Sequence, residues 1–294
     1  MGPHTATPGL PVVIDTDAGG DPDDALALVA AAGLPELALV LTGDELPGGY
    51  RARFVRLLLD LLGRPEVPVV AGRDLGNTRL NCVRDLVPDT VPAQSGELLA
   101  AVEAVCTGGV RWVGLGPMSN LADVLTARPG LAERIRLTQM GGALHYRDPS
   151  RAEHNVRVDP AAAHTVLALA HRPRLVLSDT TFTPELEIRV ASATHRRLAD
   201  PAAPAWAGLL AAHLAQWFTD FHPGTIQHDA LTLSAALELP FVGFTAERVV
   251  LDELGRMSRS GRGTPVELSG PADHHAFLDW LDRQLDPAAR AEVA

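Results

Sequence analysis

The chain has 294 residues, of which 46% are hydrophobic and 21% charged, a balance that suits one large globular domain and argues against a disordered or fibrous chain. Its 25 basic residues face 36 acidic ones, for a net charge of −11, which excludes a nucleic-acid duplex and an anionic membrane surface as partners. Every basic residue is an arginine, so Schiff-base, P-loop and kinase-type lysine chemistry is excluded as well.

Residues 1–10 lack the basic start and apolar centre of a signal peptide and read as a flexible lead-in. PVVID (11–15) predicts a strand, and DDALALVAAAG (23–33) a helix stopped by Gly33. ELALVLTG (36–43) and VPVVAG (67–72) predict strands either side of a helix at RARFVRLLLDLLG (51–63). A helix over 95–109 leads to a strand at VRWVGLG (110–116), and SNLADVLTARPG (119–130) opens with a Ser/Asn cap. A helix over 159–171 precedes a strand at RLVLSD (174–179). Two helices follow at 204–221 and 228–239, then a strand pair at RVVLDEL (248–254) and TPVELSG (264–270), then an amphipathic helix at 272–286. Strands separated by helices of this length predict a mostly parallel central sheet with helices on both faces, Rossmann-like in architecture. No repeat, low-complexity tract or linker divides the chain, so residues 1–294 read as a single domain. The two cysteines, Cys82 and Cys106, are too few for a disulfide framework or a thiolate zinc site, and no run of about 18 apolar residues occurs. These features together predict a cytoplasmic protein.

In such sheets ligands bind beyond the carboxyl ends of the strands. The first of these ends carries Asp15, Asp17, Asp21, Asp23 and Asp24, five carboxylates within ten residues. Asp21 suits a helix N-cap, Pro22 the first helical position, and Asp23 and Asp24 the positive end of the helix dipole. That leaves Asp15 and Asp17, at the strand end before two glycines, without a local reason. A bound divalent cation accounts for the whole cluster, and hard oxygens with no Cys or His beside them favour Ca²⁺ or Mg²⁺ over zinc. A phosphatase with an Asp-x-Asp nucleophile also begins this way, but normally enlists a lysine that this chain lacks.

The acidic loop resembles the signature of the inosine–uridine preferring nucleoside hydrolase family, Asp-x-Asp-Pro-Gly-x-Asp-Asp before an apolar helix. Further pieces resemble the family in the same order: GLGPMSNLADVL (114–125), ERIRLTQMGGA (133–143), AEHNVRVDPAAA (152–163) and QHDALTL (227–233). The resemblance implies hydrolysis of an N-glycosidic bond in a ribonucleoside with one tightly held Ca²⁺, Mg²⁺ being the lesser expectation. It implies Asp17, Asp24, Asp229 and the backbone carbonyl of Leu115 as metal ligands. Asp17 and His228 are implied as the catalytic pair, the carboxylate taking a proton from water and the imidazole assisting the departing base. Asp23, Asp44, Met140, Glu153, Asn155 and Trp217 are implied as substrate contacts, with Glu153 and Asn155 on one side of an extended segment. The small-molecule partner is then a nucleoside or nucleotide, and the assembly a homodimer or homotetramer. A relative that keeps the metal and sugar site without turnover is the alternative of another class.

The chain departs from the family pattern in several places. The signature loop carries two extra residues, and keeping the join to the helix leaves Asp21 as the cap and Asp23 on the sugar. Asp44 stands where the family has Asn, His154 where it has Phe, and no His-Gly segment occurs in 73–95. HYRDPSR (145–151) replaces a loop that in the family touches the ribose 5′-hydroxyl, and Arg147 and Arg151 could meet an anionic 5′-substituent.

Overall fold

The computed structural model describes residues 9–288, so residues 1–8 of the segment expected to be flexible lie outside the described residues. The β-branched run at the start forms β1 (Val12–Thr16). Next comes α1 (Asp23–Ala32), apolar on every side and buried along its whole length. There follow β2 (Leu37–Thr42), α2 (Tyr50–Leu61), β3 (Val69–Ala71), α3 (Leu98–Val105), β4 (Val110–Gly114), α4 (Ser119–Ala127) and β5 (Ile135–Met140). A short α5 (His154–Val158) precedes α6 (Pro160–Leu169), β6 (Arg174–Val176) and the single turn α7 (Ser178–Thr181). Then come β7 (Glu187–Arg189), α8 (Ala193–Leu198), α9 (Ala205–Asp220), β8 (Gly224–Ile226) and α10 (His228–Ala236). The last elements are β9 (Val242–Leu251), β10 (Met257–Arg259), β11 (Thr264–Ala272) and α11 (His274–Gln284).

Nine strands form one sheet in the order β10-β9-β11-β6-β5-β4-β1-β2-β3. Pairing is parallel from β3 through to β11, and β9 and β10 add an antiparallel edge. Because strand side chains alternate, β1 feeds two cores. Val12 and Ile14 pack with Leu26, Phe54 and Leu231 on one face, and Val13 packs with Val102, Leu121 and Val166 on the other. Helices therefore cover both faces, as the alternation of strands and helices requires. No helix among the described residues is long and apolar enough to cross a membrane.

Several boundaries move. The late strand pair begins earlier, at Val242, and residues 252–254 turn rather than extend. This edge is exposed at many positions, so its hydrophobic alternation is weak. The strand expected over 174–179 ends at Val176, and Ser178 opens α7. Ser119 and Asn120 are not caps but lie inside α4, where the Ser119 hydroxyl donates to Asp159 Oδ2 at 2.6 Å and Asn120 makes the bonds described below. Between β1 and β4 the chain changes direction across the sheet, which opens a crevice at their carboxyl ends.

Candidate active site

A cavity of about 720 Å³ occupies that crevice. Its floor is acidic because α1 starts there. The helix is buried on all sides, so its first-turn carboxylates Asp23 and Asp24 have nowhere to go but inward. Asp229, in the first turn of α10, which packs beside α1 on the same face of the sheet, meets them there, and its backbone N–H donates to Asp23 Oδ2 at 3.4 Å. Ligand atoms of Asp23, Asp24 and Asp229 all lie within 4.8 Å of one another. Burial pushes all three pKa values well above the ordinary carboxylate range, and neighbouring carboxylates add to it: Asp21 and Asp17 at Asp23, Asp17 and Asp23 at Asp24, and Asp23 and Asp24 at Asp229. Thr16 Oγ1 donates to Asp24. A hard-oxygen trio buried at such a cost is a donor set that fits a divalent cation.

The tightest grouping thus differs from the expected ligand set: Asp23 joins it, and Asp17 lines the same cavity beside it. Asp17 sits where Gly116 permits: a Cβ at Gly116 would come within 2.9 Å of its Oδ1. Gly19, at φ +116°, lets the loop turn from Asp17 toward the helix, a conformation that L side chains rarely adopt. Asp15 does not belong to the cluster. It accepts from Asn120 Nδ2 at 2.8 Å, and the same amide also donates to Thr42 O at 3.0 Å, so this pair ties α4 to β1 and β2. Asp21 is not the helix cap either. Pro22 occupies that position without a side-chain bond, and Asp21 accepts from Thr225 Oγ1, linking the acidic loop to β8.

The Leu115 carbonyl lies on the cavity wall and accepts from Asn155 Nδ2 at 2.6 Å, which leaves a second lone pair. Asn155 also donates to Met140 O at 3.1 Å. Glu153 and Asn155 are both buried, but the segment is not extended as expected. Glu153 is the N-cap of α5, accepting from the backbone N–H of Asn155 and Val156, and it also receives Gly142 N–H at 3.0 Å. Trp217 contributes an aromatic wall: it stacks on Phe221 at 5.1 Å and donates Nε1–H to Gly224 O. His228 lines the cavity with Nδ1 2.6 Å from Thr181 Oγ1. Burial, with help from Arg147 and His154, pushes its pKa down to about 4, so the ring is neutral at pH 7.

Asp44, expected as a substrate contact, is buried next to the cavity rather than among the described residues that line it, at φ +46°. Asn77 donates to its Oδ2 at 2.9 Å, and the Arg51 guanidinium lies 3.9 Å away. Arg51 is the residue that sequence reasoning missed. Only 1% exposed, it donates to Asp17 O, Asp44 O and Leu80 O, and so clamps three loops behind the acids. The signal was present: Arg51 falls on the buried stripe of α2 with Phe54, Val55 and Leu58, where an arginine has to find internal acceptors.

The buried acids make a stability prediction. Burial raises Asp15 to about 7 and Asp21 to about 8 from an ordinary 3.8, so the folded chain holds protons that the unfolded chain has lost. Stability must then fall as pH rises through that range. His213, pushed down to about 4 by burial, acts with opposite sign but only below its unfolded value of 6.5. With a chelator present, the melting temperature is therefore expected to drop steadily between pH 6.5 and 8. A flat or rising profile in a thermal scan would contradict the burial of these acids.

The family described as inosine-uridine preferring nucleoside hydrolase matches residues 12–288. The pyrimidine-specific ribonucleoside hydrolase RihA of Klebsiella pneumoniae is 29% identical over 94% of this chain and 98% of its own length. Its counterpart from Salmonella enteritidis is 31% identical over the same shares. Among solved structures, a purine-preferring ribonucleoside hydrolase from Gardnerella vaginalis aligns with a TM-score of 0.77 at 22% identity, covering 95% of this chain and 99% of that one. An inosine-uridine preferring nucleoside hydrolase from Bacillus anthracis gives a TM-score of 0.75 at 18% identity, over the same shares. At those identities the structures establish the fold alone.

Proposed function

Since the chain belongs to the inosine–uridine preferring nucleoside hydrolase family, and is on that ground an N-ribosyl hydrolase, we propose that it cleaves the N-glycosidic bond of a ribonucleoside with the help of a bound Ca²⁺. The observation that carries this reading is the buried trio Asp23, Asp24 and Asp229 on the floor of a nucleoside-sized cavity. Three carboxylates without a Cys or His among them suit Ca²⁺ ahead of Mg²⁺. Asp17, Asp24, Asp229 and the Leu115 carbonyl are the proposed ligands, with Asp23 shared between the ion and a ribose hydroxyl. Once bound, such a cation supplies positive charge that acidifies water and grips vicinal hydroxyls.

The protein groups do the rest. Asp17 takes the proton of the attacking water as its oxygen bonds to C1′. The C1′–N electron pair leaves with the base, and the carboxylates of the floor stabilise the positive charge that develops on the sugar. Both Nδ2 protons of Asn155 serve backbone carbonyls, which leaves Oδ1 for a ribose hydroxyl. Glu153 has three of its roughly four acceptor positions filled by backbone N–H groups and offers the remaining one. Trp217 and Phe221 give the base an apolar face. In the tautomer whose Nδ1 accepts the Thr181 hydroxyl proton, neutral His228 carries an Nε2–H donor for the departing base.

The test is release of reducing sugar from a panel of purine and pyrimidine nucleosides, with and without chelator. Sugar release that stops on chelation and returns with Ca²⁺ is the expected result. Phosphate release from an aryl phosphate with no reducing sugar would replace this reading with the phosphatase one. His228→Ala is expected to slow poor leaving bases about 10²-fold, within the usual range for a hydrogen-bond donor aimed at developing negative charge, and a nitrophenyl riboside far less. Equal losses on both substrates would remove His228 from leaving-group assistance.

A further inference from the structure

We propose that the substrate carries an anionic group, phosphate or carboxylate, outside its ribose ring, and that Arg79, Arg147, Arg151 and His154 receive it. This rests on the hydrolase reading above and names its substrate class.

The chain is strongly acidic, and several surface arginines are paired, Arg73 with Asp123, Arg84 with Asp220 and Arg256 with Asp252, whereas Arg136 and Arg262 stand singly among the described residues without an ion pair. At the cavity such arginines converge. Arg79 and the Arg147–Arg151 pair come from two loops some seventy residues apart in sequence, line the same cavity and are exposed. Among the described residues no carboxylate forms an ion pair with any of the three. The acid nearest in sequence, Asp148, accepts the backbone N–H and hydroxyl of Ser150 at Oδ1 and feels the Arg151 charge without coming within ion-pair distance of it. Arg147 is also held in place: its guanidinium lies 4.7 Å from the centre of the Phe182 ring and 5.2 Å from that of Tyr146. A stacked guanidinium keeps its edge N–H groups for an in-plane acceptor, which is how arginine grips phosphate and carboxylate.

His154 adds a donor of fixed sense. Arg157 Nη2 lies 3.1 Å from its Nδ1, and a guanidinium can only donate. Nδ1 therefore accepts, and the ring proton sits on Nε2, the remaining polar atom of a residue on the cavity wall. The cavity is thus bipolar, with carboxylates on the floor and donors at the rim. The floor serves a cation and a sugar. An uncharged nucleoside would leave the rim with nothing to bind.

The experiment compares two ligand pairs by calorimetry on the full chain: ribose against ribose 5-phosphate, and uracil against orotate. The expected result is a gain of at least roughly tenfold for the anionic member of one pair, since one charge-assisted contact is worth that much. A gain in the sugar pair assigns the anion to the 5′ arm, and a gain in the base pair assigns it to the base. The double variant Arg147→Gln/Arg151→Gln should bring the anionic ligand down to the affinity of its neutral partner, and raised salt should shrink the gain. No gain in either pair, or a gain that survives the double variant, overturns the proposal. Reducing-sugar release is scored separately, from uridine and from its anion-bearing counterparts uridine 5′-monophosphate and orotidine. A protein that hydrolyses but shows no anion preference sinks this inference alone, and one that prefers the anion but releases sugar from none of the three sinks the hydrolase reading.

Discussion

Replacing Asp229 with asparagine is expected to abolish divalent-cation binding and to lower sugar release by at least about 10³-fold, while raising the heat stability of the chelated protein at pH 8. The first two effects follow from charge. Removing one of three converging carboxylates takes a full negative charge from a buried site, and each tenfold in rate is only about 1.4 kcal/mol. The third effect carries the opposite sign and makes the test specific. Without a cation, Asp229 is destabilised by burial and then by the charges of Asp23 and Asp24, so a neutral amide of the same shape relieves strain. Wild type should recover on adding Ca²⁺, by about 2.7 kcal/mol at a hundredfold excess over the dissociation constant, and the variant should not. Thermal scans and calorimetric titration check both halves. Unchanged cation affinity in Asp229→Asn would remove Asp229 from the metal site.

The fold was legible where elements are long and one periodicity governs them. Val12 to Thr16, the apolar α1 and the amphipathic α2 announce themselves because burial on both faces of a parallel sheet imposes continuous or 3.6-residue patterns. The three-residue strands β7 and β8 and the short helices α5, α7 and α8 do not, since three to six residues complete too little of any period. These silent pieces position much of the site. β8 delivers His228 and Asp229, and α5 makes Glu153 a cap rather than part of an extended arm. The acids themselves were legible because five carboxylates in ten residues repel one another unless something holds them, although Asp15 and Asp21 are held by Asn120 and Thr225 rather than by the trio's site. Their division of labour was not. Whether Asp23 faces ion or sugar depends on angstroms, and Asp44 is held next to the cavity by Asn77 and the nearby Arg51 guanidinium. A buried guanidinium reaching three loops is a property of tertiary structure, visible in the sequence only as a charged residue on an apolar stripe.

Glu153→Ala is expected to be the most damaging substitution outside the acid trio, and to act on stability as well as turnover. The carboxylate is 5% exposed and accepts from Gly142, Asn155 and Val156 N–H groups, the first reaching back to the loop after β5. Alanine would leave three buried donors without acceptors, at about 1–3 kcal/mol each, against a total stability of roughly 5–15 kcal/mol for a domain. A loss of about 3–9 kcal/mol follows, read as a lowered urea midpoint. Asn155, whose amide is aligned on Leu115 O and Met140 O, would lose its anchor in the same step. Glutamine separates the two roles. It keeps one acceptor oxygen and the shape of the cap, so most of the stability should return, while a side chain with fewer lone pairs has none left for a ribose hydroxyl. Glu153→Gln should therefore unfold within about 2 kcal/mol of wild type yet show a KM for nucleoside raised by roughly tenfold or more. If glutamine restores both stability and KM, Glu153 only caps the helix, and the sugar is held by Asn155 and the acids of the floor.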